Sequence, residues 1–218
     1  NKYIAIIPAR KGSKGIKNKN LAVIKGKRMI DYTIEAARKT REITKVAVTT
    51  DIDKIIKPDT KKIVYIRRPK KIASDTATTE SAIIHSLNYL NKKNILTKNV
   101  VLLQPTSPFR DSSEISKSIK LFEKKKYNSL FSGYEDKILL WKKNKKNIEP
   151  INYKIQKRKR KQDSSALIIE NGAIFIFNYK MYLKKKVRLF GKIGCYIMSK
   201  KKSVEIDNKF DLILAKKI

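Results

Sequence analysis

Ile4-Ala5-Ile6-Ile7-Pro8-Ala9-Arg10-Lys11-Gly12-Ser13-Lys14-Gly15-Ile16-Lys17-Asn18-Lys19-Asn20 decides the fold. Its opening apolar run, rich in β-branched residues, predicts a buried strand. Pro8 has no N–H to give to a ladder and ends the pairing. A short basic loop follows, with Gly12 and Gly15 flanking Ser13 and Lys14. Glycines let successive backbone N–H groups turn inward as an anion-binding nest. Arg10, Lys14 and Lys19 surround that nest with positive charge. The spacing is neither G-x-x-x-x-G-K-[ST] nor G-x-G-x-x-G. From the residues alone, a phosphate site and a basic surface turn both remain open.

The pattern repeats outward from this strand. Residues 45–51, 63–66, 99–103 and 129–133 read as further strands, and a short one is expected near 139–142. Apolar positions 30, 34 and 37 fall on one helical face, and helices are expected at 80–90 and 111–124. Asp75 or Thr76 is the expected cap of the helix at 80–90. Strands alternating with helices predict an α/β fold with a mostly parallel sheet covered on both faces. Ligands in such folds gather at the carboxyl ends of the strands.

The 218 residues suit one domain with a full core, and 41% hydrophobic content is ordinary for a soluble protein. No run approaches eighteen apolar residues, so no membrane span is expected. The chain runs directly into its first strand, which leaves no room for a signal peptide. A single cysteine, Cys195, excludes an internal disulfide and fits a reducing, cytoplasmic compartment. It is expected to be a small core residue, and His85, the sole histidine, a partly buried structural one. The net charge of +34 raises the alternative of a nucleic-acid-binding protein. The lysines are spread along the whole chain, however, with no zinc-ligand set, aromatic RNA-binding strand or helix-turn-helix pattern. Nonspecific polyanion binding at low salt is expected from charge alone.

Three further stretches carry chemistry. Gln104-Pro105-Thr106-Ser107-Pro108-Phe109-Arg110 leaves a strand with two prolines in five residues, a rigid loop suited to orienting a polar ligand or an ordinary proline turn. Lys157-Arg158-Lys159-Arg160-Lys161 is a basic run preceding Gln162. Glu205, Asp207 and Asp211 put three carboxylates within seven positions of a chain with only 19 acidic residues. On a strand, Glu205 and Asp207 would share a face. Such oxygen ligands suit Mg²⁺ held jointly with substrate phosphates, and a salt-bridged strand end is the alternative.

The opening stretch closely resembles the signature of the acylneuraminate cytidylyltransferases, the CMP-sialic acid synthetases. Motifs at 68–76, at 101–110, at Arg160-Lys161-Gln162-Asp163 with Glu170-Asn171-Gly172-Ala173-Ile174-Phe175, and at 197–211 match that family in order. Departures stand at Lys11, Lys17, Ser165, Ile168 and Glu205, and the segment between residues 51 and 63 is short. The resemblance implies a nucleotidyltransferase-type three-layer sandwich over residues 1–218, with a small dimerisation arm within 134–170 and a homodimer. It implies CMP transfer from CTP to a sialic-acid-like nonulosonic acid, an acidic nine-carbon sugar, with release of pyrophosphate. An eight-carbon acidic sugar such as 3-deoxy-manno-octulosonate is the alternative acceptor.

Carried over residue by residue, the resemblance assigns Arg10, Gly12, Ser13, Lys14, Lys19, Asn20, Arg68, Asp75, Thr76, Ala77 and Thr79 to the nucleotide. Gln104, Thr106, Ser107, Arg110, Arg160, Gln162 and Asn171 go to the sugar. Asp207, Glu205 and Asp211 go to Mg²⁺. Arg10, Lys19 and Asp207 are the expected catalytic set.

Overall fold

The structure is a computed structural model describing all residues except Asn1, Ser13, Lys14, Asp75, Leu96 and Lys146. In chain order its elements are β1 (Tyr3–Ala9), β2 (Val23–Ile24), β3 (Lys27–Arg28), α1 (Met29–Lys39), β4 (Ile43–Thr50), β5 (Ile63–Arg67), α2 (Thr79–Lys92) and β6 (Asn99–Leu103). There follow α3 (Ser112–Lys124), β7 (Ser129–Asp136), β8 (Trp141–Lys143), β9 (Ile148–Pro150), β10 (Leu167–Asn178), α4 (Tyr179–Lys185), β11 (Ile193–Ile197) and α5 (Lys209–Lys217).

Seven strands form one sheet in the order β11-β7-β10-β6-β1-β4-β5. β1 lies parallel between β4 and β6, β5 is parallel to β4, and β11 is parallel to β7. Only β10 runs against its neighbours, pairing Ile174 with Leu103 and Phe175 with Phe131. The sheet is therefore mixed and mostly parallel. The reversal of β10 brings its amino-terminal half to the edge where the other strands end.

Alternation along β1 explains the three layers. Ile4 and Ile6 join Ile83, Leu87 and Leu90 of α2 on one face. Tyr3, Ala5, Ile7 and Ala9 join Ile30 and Ala37 of α1 and Ile115, Ile119 and Phe122 of α3 on the other. A smaller cluster of Ile16, Ile24, Met29, Ile206 and Ala215 ties the loop after β1 to the carboxy-terminal segment.

The short strand expected near 139–142 is one arm of a hairpin, with Trp141 opposite Pro150 and Lys143 opposite Ile148. Cys195 is half-buried because β11 is an edge strand. Burial, with Glu170 and Glu135 nearby, pushes its thiol up to about 11, so it is no thiolate at neutral pH.

Candidate active site

Strand ends and one helix start converge on a cavity of 180 Å³. Pro8 and Arg10 come from β1, Arg68 from just past β5, Gln104-Pro105-Thr106 from β6, and Ala77-Thr78-Thr79 from the start of α2. Lys19 and Asn20 close it from the loop. Among the described residues the lining holds three cations and no carboxylate, a field that suits a polyphosphate. Thr78 caps α2 by accepting from the Ser81 N–H at 3.2 Å, so the helix amino terminus opens at this wall. This corrects the expected cap. Thr76 instead pairs its hydroxyl with Ser74 at 3.2 Å, and Asp75 lies outside the described residues.

The cations are held in place. Arg10 Nη1 donates to the Ser74 carbonyl at 2.9 Å, spanning from β1 to the turn before α2. Asn20 Nδ2 donates to the Arg10 carbonyl at 3.0 Å, and the Lys11 N–H donates to Asp51 Oδ1 at 2.8 Å. Arg68 is 6% exposed and donates Nη2 to the Thr49 carbonyl at 2.8 Å, while its buried Nε has no hydrogen-bond partner. Burial, with Arg10 adding repulsion against the pull of Asp51, lowers its pKa to about 10, so it stays a cation at neutral pH. A desolvated guanidinium with a spare N–H attracts an anionic or carbonyl acceptor. Gly12 lies beside this lining but not in it, and Ser13 and Lys14 lie outside the described residues.

The acidic segment packs over the same loops. The Ile206 N–H donates to the Thr106 carbonyl at 2.9 Å, and Thr106 Oγ1 donates to Glu205 Oε1 at 3.2 Å. Lys19 Nζ meets Asp207 Oδ1 at 2.8 Å. Gly15 makes this packing possible, because a Cβ there would come within 2.0 Å of the Asp207 carbonyl oxygen. Residues 204–207 are not part of a strand, which corrects the expected strand end. Asp211 is the acidic half of a capping box. Its Oδ2 accepts from the Asp207 and Asn208 N–H groups at 2.9 and 3.0 Å, and Asn208 Oδ1 accepts from the Asp211 N–H at 3.0 Å. Among the described residues no three His, Cys, Asp or Glu side chains gather where they could hold a metal ion. Asp211 thus caps α5, while Glu205 and Asp207 meet Thr106 and Lys19. Burial first, then the charge of Asp207, raises the pKa of Glu205 against the opposing effects of Thr106 and Lys19.

The residues assigned to the sugar divide sharply. Gln104 and Thr106 line the cavity. Ser107 is fully buried, with no hydrogen-bond partner for Oγ. Arg110 is 1% exposed and donates Nη1 to the carbonyls of Gln104 at 3.3 Å and Ala173 at 3.0 Å. Desolvation lowers its pKa to about 9, and its place is inside the fold, pinning the proline loop to β10. Asn171 is also structural. Its Oδ1 accepts from Ser132 Oγ at 2.6 Å and the Ala173 N–H at 3.1 Å, and its Nδ2 donates to Ser203 Oγ at 2.8 Å and Met198 Sδ at 3.4 Å. Arg160 is exposed and pairs with Asp163 at 2.9 Å. Gln162 lines a separate cavity of 490 Å³ with Glu135, Asp136, Lys137, Lys161 and Ala166. The structure therefore does not bring Arg160 and Gln162 to the 180 Å³ cavity.

Two features escape the sequence reading. Thr78 supplies the cap and part of the wall, hidden among neighbouring hydroxyls that could do the same. Gly172, with φ +63°, stands where a Cβ would lie 3.1 Å from Gln104 Nε2 and 3.2 Å from Glu205 Oε1. It thus lies between Gln104 of the first cavity and Glu205, which lines a second one of 330 Å³ with residues including Tyr134, Asp136, Glu170 and Lys200. Only its place in the Glu-Asn-Gly motif marks Gly172 beforehand.

A sequence model described as cytidylyltransferase matches residues 4–218. The chain belongs to the cytidylyltransferase family. An N-acylneuraminate cytidylyltransferase of Escherichia coli is 36% identical over 98% of this family member and 51% of the relative. One from Streptococcus agalactiae serotype V is 30% identical over 97% and 52%, and N-acylneuraminate cytidylyltransferase A of Danio rerio is 28% identical over 95% and 48%. The chain spans about half the length of these curated relatives. A solved CMP:2-keto-3-deoxy-manno-octonic acid synthetase, complexed with CTP, superposes with a TM-score of 0.68 at 14% identity, covering both chains completely. A 4-diphosphocytidyl-2C-methyl-D-erythritol synthase from Anaerococcus prevotii gives 0.68 at 15% identity, covering 99% of this chain and 95% of that one. These two likenesses establish the shared nucleotidyltransferase-type α/β fold.

Proposed function

We propose that this chain transfers CMP from CTP to a sialic-acid-like nonulosonic acid and releases pyrophosphate. The observation that carries this reading is the cavity in which Arg10, Lys19 and the buried Arg68 face a helix amino terminus. Arg10 and Lys19 hold the triphosphate, and Arg68, with Ala77 and Thr79, holds the cytidine end. The anomeric hydroxyl of the sugar attacks the α-phosphorus in line as the bond to pyrophosphate breaks. Such transfers depend on positioning and charge neutralisation more than on covalent catalysis. Gln104 and Thr106, fixed by the proline loop, orient the acceptor beside the α-phosphate.

Asp207 and Glu205 fit a hard divalent cation as donors, because the burial of Glu205 and its proximity to Asp207 leave negative charge to be offset. Mg²⁺ bound there would neutralise phosphoryl oxygens. Exposed Trp141, Ile148, Ile151 and Ile155 on the hairpin and the segment after it supply an apolar surface for a homodimer. No helix among the described residues is long and apolar enough to cross a membrane, and a cytoplasmic setting, where CTP is available, belongs to the same reading.

Pyrophosphate release from CTP and Mg²⁺ with sialic, legionaminic and pseudaminic acids tests the proposal. Release with at least one nonulosonic acid at moderate salt is expected. Release only with 3-deoxy-manno-octulosonate, or with no sugar while polyanions still bind, would overturn it.

A further inference from the structure

The 180 Å³ cavity is smaller than sites that enclose a whole small molecule, commonly about 300–1,000 Å³. An acceptor beside the nucleotide needs more room, and the structure offers it in one direction. Thr106 lines the first cavity and donates to Glu205, which lines the 330 Å³ cavity beyond. Gly172 stands between Gln104 and Glu205, where a Cβ would crowd both side chains. The four hydrogen bonds of Asn171 fix the backbone of this glycine.

The two cavities differ in charge. Among the described residues the first is lined by three cations and no acid, whereas the second presents Asp136, Glu170 and Glu205 against a single cation, Lys200. A carboxylate of the acceptor would be repelled from the second cavity and attracted toward the first. Ionised carboxylates only accept hydrogen bonds, so the second cavity suits a group rich in O–H donors. Asp136 is the best-placed acceptor. Lys200 Nζ and the Lys137 N–H both reach its Oδ1 at 2.8 Å, which leaves Oδ2 for a ligand.

We propose that the cavity beyond Gly172 receives the hydroxylated side chain of the acceptor sugar, and that Asp136, oriented by Lys200, sets specificity by accepting from its terminal hydroxyls. This rests on the acceptor being a nonulosonic acid. A site built to hydrogen-bond a hydroxyl discriminates against an analogue lacking it, because its own polar groups are then left unpaired.

The test pairs one change in the protein with one in the acceptor. Wild type and Asp136→Asn are assayed with an accepted nonulosonic acid and with its eight-carbon analogue lacking the terminal hydroxymethyl group. Wild type should prefer the full acceptor by roughly tenfold or more in kcat/KM, the loss expected for one hydrogen bond to a charged group. Asp136→Asn should lose a similar factor on the full acceptor and about none on the shortened one, with KM for CTP unchanged. Gly172→Ala, checked for folding by its melting temperature, should raise KM for both acceptors and not for CTP. Losses that multiply across the two changes, or a CTP effect as large as the acceptor effect, would overturn the inference. Absence of turnover with every nonulosonic acid in wild type would instead overturn the reading beneath it, and the inference with it.

Discussion

The nucleotide-side cavity and the segment from the hairpin to Ala166 carry equally strong sequence motifs but differ in structure. Around the cavity, residues from five stretches meet because parallel strands end at one edge, and each cation is anchored by backbone carbonyls or a carboxylate. In the other region Gln162 lies in an exposed single 3-10 turn that Arg160 precedes, and Arg160 makes a local ion pair with Asp163. Such an exposed pair stabilises little. The contrast teaches that a motif acts through what the sheet brings to it. The first region is pre-organised within a single chain, and the second is not.

The largest expected effect falls on Asp207, at the junction of phosphate loop and acidic segment. Asp207→Asn leaves Lys19 without its partner and removes an exposed carboxylate. Maximal turnover should fall about a hundredfold, with a higher Mg²⁺ midpoint and an unchanged melting temperature. An Mg²⁺ titration with the wild-type midpoint and rate would remove Asp207 from the site.

Arg110→Ala should act through the fold. It strips a donor from the Gln104 and Ala173 carbonyls and leaves a void, at a cost of about 3 kcal/mol. Denaturant unfolding should show that loss, and KM should rise for both substrates together. A rise confined to the sugar, with stability intact, would restore Arg110 to the binding site.

A smaller effect depends on pH. The folded state raises the pKa of Glu205 above its ordinary 4.5. Its contribution to stability is therefore present below that value and is lost as pH rises through the folded pKa. Glu205→Gln removes the cost of holding the charge, so melting should show the variant gaining on wild type at pH 7–8. The gain should vanish below about pH 4.5. A pH-independent difference would contradict the burial argument.

Much of this fold was legible because β1 and β6, buried on both faces, read as continuous apolar runs. The placing of Arg10, Lys19 and Asn20 at the cavity was legible for a related reason, since they follow a strand read from its apolar run. The acidic segment misled. Buried Ile206 between Glu205 and Asp207 mimics strand alternation, but a chain laid over a core gives the same pattern without a ladder partner. The burial of Arg110 and Asn171 was not legible, because it comes with contacts to Ala173, Ser132, Met198 and Ser203. Those partners lie far off in the chain or across the sheet, and no local pattern announces them.

Calorimetric titration of CTP into wild type, Arg10→Ala and Arg160→Ala tests most directly the claim that one region is assembled for the nucleotide and the other is not. Arg10→Ala should weaken CTP binding by roughly ten- to hundredfold, as expected for a charge-assisted phosphate contact, while Arg160→Ala should bind CTP as wild type does. Equal weakening in both variants, or none in Arg10→Ala, would contradict it.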